Sequence, residues 1–266
     1  MTPLRLLHLT DLHLFGDERA RLRGIEPLAT LRQTLARAMA QAERTGRRPD
    51  AVLVTGDVVH DDPRGYEHFR AEFAALGLPV YCIPGNHDDG ATFARMLDQP
   101  PFVTRGSVDL RGWRLVLLDT SVPGRDGGHL APAQLRALQD ALATASTPVL
   151  VCLHHHPVPM SSDWLDRIGL DNAAELFGIT DAHGGVRGML FGHVHQAFDA
   201  WRGGVRLLAT PSTCAQFLPR APDFAIGPQP PAFRTLDLAP DGSLDTDLYW
   251  VDPCDTSSSH CASSAA

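Results

Sequence analysis

The sequence predicts an α/β fold. Three observations carry that prediction: short apolar runs that end in polar residues, amphipathic segments between them, and turn-linked strands late in the chain. The runs cover Leu4–Leu9, 51–54, Val80–Ile83, 115–118, 149–153 and 189–191, and their unbroken apolar character is that of strands covered on both faces. Between the first two, Leu28, Leu31, Leu35 and Met39 recur at helical spacing over residues 27–43, with Pro27 suited to the first turn. Further helices are expected over about residues 63–76 and 132–142. After Gln196 the pattern becomes antiparallel β, with strands at 197–201, Val205–Ala209, Ala232–Leu238 and 244–251. The Pro-rich residues 217–231 read as an irregular surface loop, and residues 253–266, mostly Ser and Ala, as a disordered tail. A chain of 266 residues suffices for one sizeable core, so a single domain over residues 1–252 is expected.

Composition narrows the function. A formal net charge of -8, with no Lys at all, argues against binding a nucleic-acid polymer, because phosphate backbones are held by clustered positive charge. Five Cys without a CxxC spacing suggest neither a zinc ribbon nor a disulfide framework. The first apolar run is interrupted by Arg5 and His8, and no stretch approaches the ~20 apolar residues of a membrane span. These features fit a soluble cytoplasmic protein with reduced cysteines and no membrane partner.

Five strand ends carry metal-binding side chains. Asp11 and His13 follow the first run, and a period of two sets them on one side of an extended chain. Gly56-Asp57 follows the second, where Gly allows a tight turn and a carboxylate can share its oxygens between cations. Pro84-Gly85-Asn86-His87-Asp88 follows the third and holds one of only two Asn in the chain, a neutral oxygen donor beside a titratable imidazole. His154-His155-His156-Pro157 ends the fifth run, and alternation of side chains lets at most two of these rings face one site. Gly192-His193-Val194-His195 ends the sixth, its two imidazoles again one residue apart. Each cluster alone would be a turn, but all five would fall at the carboxyl edge of a sheet, where open α/β folds place their sites.

In that order, Asp-x-His, Gly-Asp, Gly-Asn-His-Asp, His-x-Pro and Gly-His-x-His resemble the calcineurin-like metallophosphoesterase superfamily. Residues 10–15, 154–159, 162–166 and 209–214 are similar to the bacterial class III cyclic-AMP phosphodiesterases, and the likeness spans about residues 4–250. The resemblance implies a four-layer α-β-β-α sandwich with two mixed sheets, and two divalent metal ions (Mn, Fe, Zn or Co). It places Asp11, His13 and His195 on one ion and Asn86, His155 and His193 on the other, with Asp57 between them. His155 is preferred among its neighbours because it stands two residues before Pro157. Asn86, His87 and His195 would also contact substrate, His87 would protonate the leaving sugar oxygen, and Asp88 would orient its ring. The implied reaction is in-line attack of a bridging hydroxide on a small cyclic nucleotide, giving 5′-AMP from 3′,5′-cyclic AMP.

Other readings remain open at this level: a glycerophosphodiester or nucleotide-sugar pyrophosphate hydrolase, a non-catalytic scaffold, or a nuclease. Arg19, Arg21 and Arg23 read as a solvated loop or as a rim for phosphate or ribose. Asn172, followed by Glu175, reads as a helix start.

Overall fold

A computed structural model describes residues 2–252; the expected tail at 253–266 lies outside them. The first sheet orders its strands β12-β11-β1-β2-β3-β4, from β1 (Leu4–Leu9), β2 (Ala51–Thr55), β3 (Val80–Ile83), β4 (Phe102–Val103), β11 (Ala232–Leu238) and β12 (Leu244–Trp250). The second orders them β5-β6-β7-β8-β10-β9, from β5 (Gly106–Leu110), β6 (Trp113–Leu117), β7 (Val149–Cys152), β8 (Val186–Phe191), β9 (Phe198–Arg202) and β10 (Val205–Ala209). Both sheets are mixed. β1 to β4 run parallel with β11 and β12 antiparallel, and β6, β7, β8 and β10 run parallel with β5 and β9 antiparallel. The late strands are thus antiparallel to their hairpin partners, as expected, but β10 lies parallel to β8.

Side-chain parity builds the layers. In β1, Leu7 and Leu9 pack under helices α1 (Pro27–Thr45), α2 (Gly65–Ala74) and α3 (Gly90–Leu97), while Leu4 and Leu6 face the other sheet. In β7, Val149 and Val151 pack under α4 (Pro132–Ala143), α5 (Asp163–Asp166) and α6 (Ala173–Asp181), while Leu150 and Cys152 face inward. Three apolar layers therefore separate helix, sheet, sheet and helix, which is the expected four-layer sandwich. The inner strands are buried on both faces, which explains their uninterrupted apolar runs. Helix α3 and strands β4 and β5 have no counterpart in the sequence reading. Residues 217–231 are not wholly irregular: Phe217 pairs with Ile226, and Leu218 N donates to the Ala225 carbonyl, making a short hairpin.

Candidate metal centre

The exits of β1, β2 and β3 meet those of β7 and β8 at one end of the sandwich. Asp11 N donates to the Gly56 carbonyl and His13 N to the Asp57 carbonyl, laying the first two exits side by side. Gly192 N donates to the His154 carbonyl and joins the exits of the second sheet. Across the sheets, His193 N lies 3.1 Å from both Asp11 carboxylate oxygens. Asp11, His13, Asp57, His193 and His195 all adopt left-handed backbone, with φ of 54, 51, 48, 68 and 47°. Two glycines admit this crowding: a Cβ at Gly85 would stand 2.2 Å from Asp57 Oδ1, and one at Gly192 would stand 2.1 Å from Thr10 Oγ1.

The donors form two groups around Asp57. In the first, His13 Nε2 lies 3.1 Å from His195 Nε2 and 3.8 Å from Asp57 Oδ2, and His195 Nε2 lies 3.3 Å from Asp11 Oδ1. His195 Nδ1 donates to the Ala215 carbonyl at 2.6 Å, which leaves the Nε2 lone pair facing the group. In the second, His154 Nε2 lies 3.2 Å from Asn86 Oδ1 and 3.5 Å from Asp57 Oδ2. His154 Nδ1 donates to the Thr55 carbonyl at 2.7 Å, so its Nε2 is the nitrogen that faces the two oxygens. His193 Nε2 is buried with no hydrogen-bond partner among the described residues.

This donor set fits divalent cations. Lone pairs that face one another in a buried space, together with an orphaned imidazole nitrogen and two buried carboxylates, repel unless positive charge sits among them. Groups of ligand atoms within 4.8 Å of one another include Asp11, His13 and His195; Asp11, Asp57 and His154; and His154, His155 and His193. Nitrogen and oxygen donors suit Mn, Fe, Zn or Co. Burial holds the pKa of His13 and His193 well below the ordinary imidazole value, so both stay neutral and able to ligate. Burial alone would raise Asp57, but His154, His87 and His13 outweigh it and hold the carboxyl well below its usual range. Burial opposes protonation of His154 too, yet Asp57 and the Thr55 carbonyl push that ring up to about 9.

The geometry departs from two sequence expectations. His155 shares a group of ligand atoms within 4.8 Å of one another with His154 and His193, but each of its nitrogens already has a partner: Nδ1 is 2.7 Å from Thr120 Oγ1, and Nε2 donates to the Asp126 carbonyl at 3.1 Å. His154 is the ring that stands beside Asn86 and Asp57, because its parity continues Leu150 and Cys152 toward the opposite sheet. Asp88 does not orient His87. Its oxygens accept from Gly85 N, Val58 N, Val59 N and Tyr66 Oη, locking the β2 and β3 exits together. Burial and Asp57 push the Asp88 carboxyl up to about 7, against those four donors.

His87 sits beside the first group, its ring 5.2 Å from that of His13, and its backbone N donates to Asp57 Oδ1. Its Nδ1 pairs with Asp61 Oδ2 at 3.1 Å. Burial works against the charged ring, but Asp57 and Asp61 reverse this and raise its pKa above 6.5. Asp61 went unread in the sequence. So did His60, whose Nδ1 lies 3.1 Å from His13 Nδ1 and whose pKa is lowered by burial. Below the centre, His8 bridges Thr210 Oγ1 and Thr55 Oγ1 at 2.6 and 2.8 Å, a polar cap on the inter-sheet core.

Residues 4–197 match the calcineurin-like phosphoesterase family. The chain belongs to the calcineurin-like phosphoesterases. This family of hydrolases uses a dinuclear divalent-metal site, in keeping with the donors around Asp57. Over 93% of its length the chain is 40% identical to a Pseudomonas aeruginosa protein named 3′,5′-cyclic adenosine monophosphate phosphodiesterase CpdA, covering 90% of that protein. A Nostoc 3′,5′-cyclic-nucleotide phosphodiesterase is 36% identical, with 94% of this chain and 93% of the relative covered. A dimetal phosphatase from Danio rerio shares the fold, with a TM-score of 0.67 at 14% identity over 95% of this chain and all of that one.

In this phosphoesterase a cavity of about 390 Å³ opens over the metal donors. Its floor is His13, Asp57, Asn86, His87, His193 and His195, and its wall includes Trp164, Phe217 and Phe224. Arg23 lines it as well, whereas Arg21 is paired with Glu26. Asn172 stands at the start of α6 as expected, but its side chain clamps Leu130 N and O and reaches Glu175 rather than capping the helix. Among the described residues no helix is long and apolar enough to cross a membrane.

Proposed function

We propose that this phosphoesterase hydrolyses 3′,5′-cyclic AMP to 5′-AMP in the cytoplasm, acting on free nucleotide rather than on a nucleic-acid polymer. The observation that carries the reading is Asp57 lying between two sets of metal donors. Relatives at 34–40% identity over nearly the whole chain are named for this substrate. Asp11, His13 and His195 would hold one ion, Asn86, His154 and His193 the other, and Asp57 both. Bound there, the ions supply Lewis acidity toward phosphate oxygens and lower the pKa of water.

The chain's own residues do the rest. Asn86 and His195 face the cavity and orient the phosphate. Hydrolysis joins the oxygen of water to phosphorus and breaks the P–O3′ bond. His87, with Asp61 holding Nδ1, delivers a proton from Nε2 to the departing O3′. The net charge of -8 leaves no basic track for a polymer, while the cavity is sized for a small ligand.

Purified protein, stripped by chelation and reloaded with Mn²⁺, is assayed against cyclic AMP, cyclic GMP, glycerophosphocholine and a bis-nitrophenyl diester. Metal-dependent turnover of cyclic AMP is expected, and inactivity toward both cyclic nucleotides refutes the assignment. Full turnover by His87→Ala, with only binding weakened, removes the acid role.

A further inference from the structure

The wall of the cavity is a poor match to a phosphate. Trp164, Phe217 and Phe224 form a contiguous aromatic group: Trp164 meets both phenylalanines edge-on at 5.1 Å, and they meet each other at 5.3 Å. Phe217 lies flat on His195, with centroids 3.9 Å apart and an interplanar angle of 7°, so the wall begins at a metal donor. Phe224 is 44% exposed and Ile226 41%, an apolar surface left open to water on the hairpin that borders the cavity. The Trp164 indole N–H is buried without an acceptor among the described residues.

The hairpin is fixed to the centre rather than loosely draped over it. Phe217 N donates to the His195 carbonyl, and Gly227 N to the Gln216 carbonyl. Gln216 Nε2 donates to the Ser212 carbonyl, and Ser212 Oγ to the Asp11 carbonyl at 2.6 Å. At the outer edge the Arg23 guanidinium stands 5.1 Å over the Phe224 ring. A rigid aromatic face with a cation at its rim, continuous with a phosphate-binding floor, has the chemistry of a site for a base and its phosphate.

We propose that Trp164, Phe217 and Phe224, with Arg23 at their outer edge, form the subsite for the base of a nucleotide phosphodiester. This rests on the phosphodiesterase reading above and adds how the substrate is selected. The base stacks on the exposed Phe224–Trp164 face, and Arg23 donates to acceptor nitrogens on its edge. Glycerophosphodiesters, lacking a planar group, gain nothing from this wall.

The test measures binding of 5′-AMP and of ribose 5-phosphate to the Mn²⁺-loaded protein by titration calorimetry, together with kcat/KM for cyclic AMP. The wild type should prefer 5′-AMP at least tenfold. Phe224→Ala, at an exposed position that carries little folding risk, should cut that preference about tenfold, the effect of losing one stacked base. Trp164→Leu should act likewise, and Phe224→Trp should restore the preference. Equal binding of the two ligands by the wild type, or equal weakening of both in the variants, overturns the proposal. Wild-type protein that prefers 5′-AMP yet turns over no cyclic nucleotide refutes the phosphodiesterase assignment and leaves the base subsite standing.

Discussion

Replacing His154 or His155 by Gln separates two adjacent imidazoles that the sequence alone does not rank. His154→Gln removes the Nε2 that faces Asn86 and Asp57, and with it the Nδ1 donor held by the Thr55 carbonyl. Loss of an outer-shell partner typically costs ~10–100-fold in metal affinity, and loss of a direct ligand should reach at least the top of that range, about 2.8 kcal/mol. His155→Gln breaks contacts to Thr120 and Asp126 instead. At ~0.5–1.5 kcal/mol each, that is about 1–3 kcal/mol of stability. In a domain of this size it lowers Tm by about 2–4 °C per kcal/mol. Equilibrium dialysis against Mn²⁺, metal content by mass spectrometry and thermal melts are run on both variants. His154→Gln should lose metal, and His155→Gln should melt earlier while its metal affinity moves less than tenfold. The opposite pattern, metal lost in His155→Gln and kept in His154→Gln, refutes the reasoning.

Asp61→Asn should move the alkaline fall of the pH–kcat profile downward. His87 acts protonated, so kcat falls as pH rises through its raised pKa; with cations on Asp57, Asp61 is the remaining lift. The pair is solvent-exposed, worth ~0.2–1 kcal/mol. At ~1.36 kcal/mol per unit the shift is about half a pH unit. An unmoved limb removes Asp61 from the account. Asp88→Asn should destabilise without altering that profile, because its new NH₂ faces N–H donors from Gly85 and Val58 or from Val59. About 2–3 kcal/mol is expected from urea titration. Mn²⁺ at ~100 times its Kd should stabilise the fold by about 2.7 kcal/mol. Because His154 is pushed up to about 9 without metal, binding at neutral pH should release its proton, read by calorimetry in buffers of different ionisation enthalpy. Heat independent of the buffer argues against His154 as a ligand.

The sandwich was legible because its inner strands are covered on both faces, and α1 because its stripe of Leu is long. Helix α3 was not, since it is eight residues set directly behind the Asn86 loop, capped by Asp89 accepting from Thr92 N. Strand β5 is an edge strand with a mixed, partly exposed face. In the site, the five clusters named the strand exits that converge, because ligand chemistry leaves unusual residues at strand ends. The choice among the three adjacent histidines was not legible. It depends on which face of β7 meets the partner sheet, a fact about tertiary packing. Asp61 and His60 escaped for the same reason, since their partners His87 and His13 lie 26 and 47 positions away.

The left-handed backbone at Asp11, His13, Asp57, His193 and His195 has a consequence for engineering. Each such conformation costs a non-Gly residue on the order of 1 kcal/mol, a strain that Gly does not feel. On backbone grounds alone, Gly at any of these positions would make the protein harder to unfold while removing a donor. Part of that gain is lost where the side chain holds a backbone donor, as Asp11 does for His193 N and Asp57 for His87 N. A library built to toughen this chain is best held invariant there.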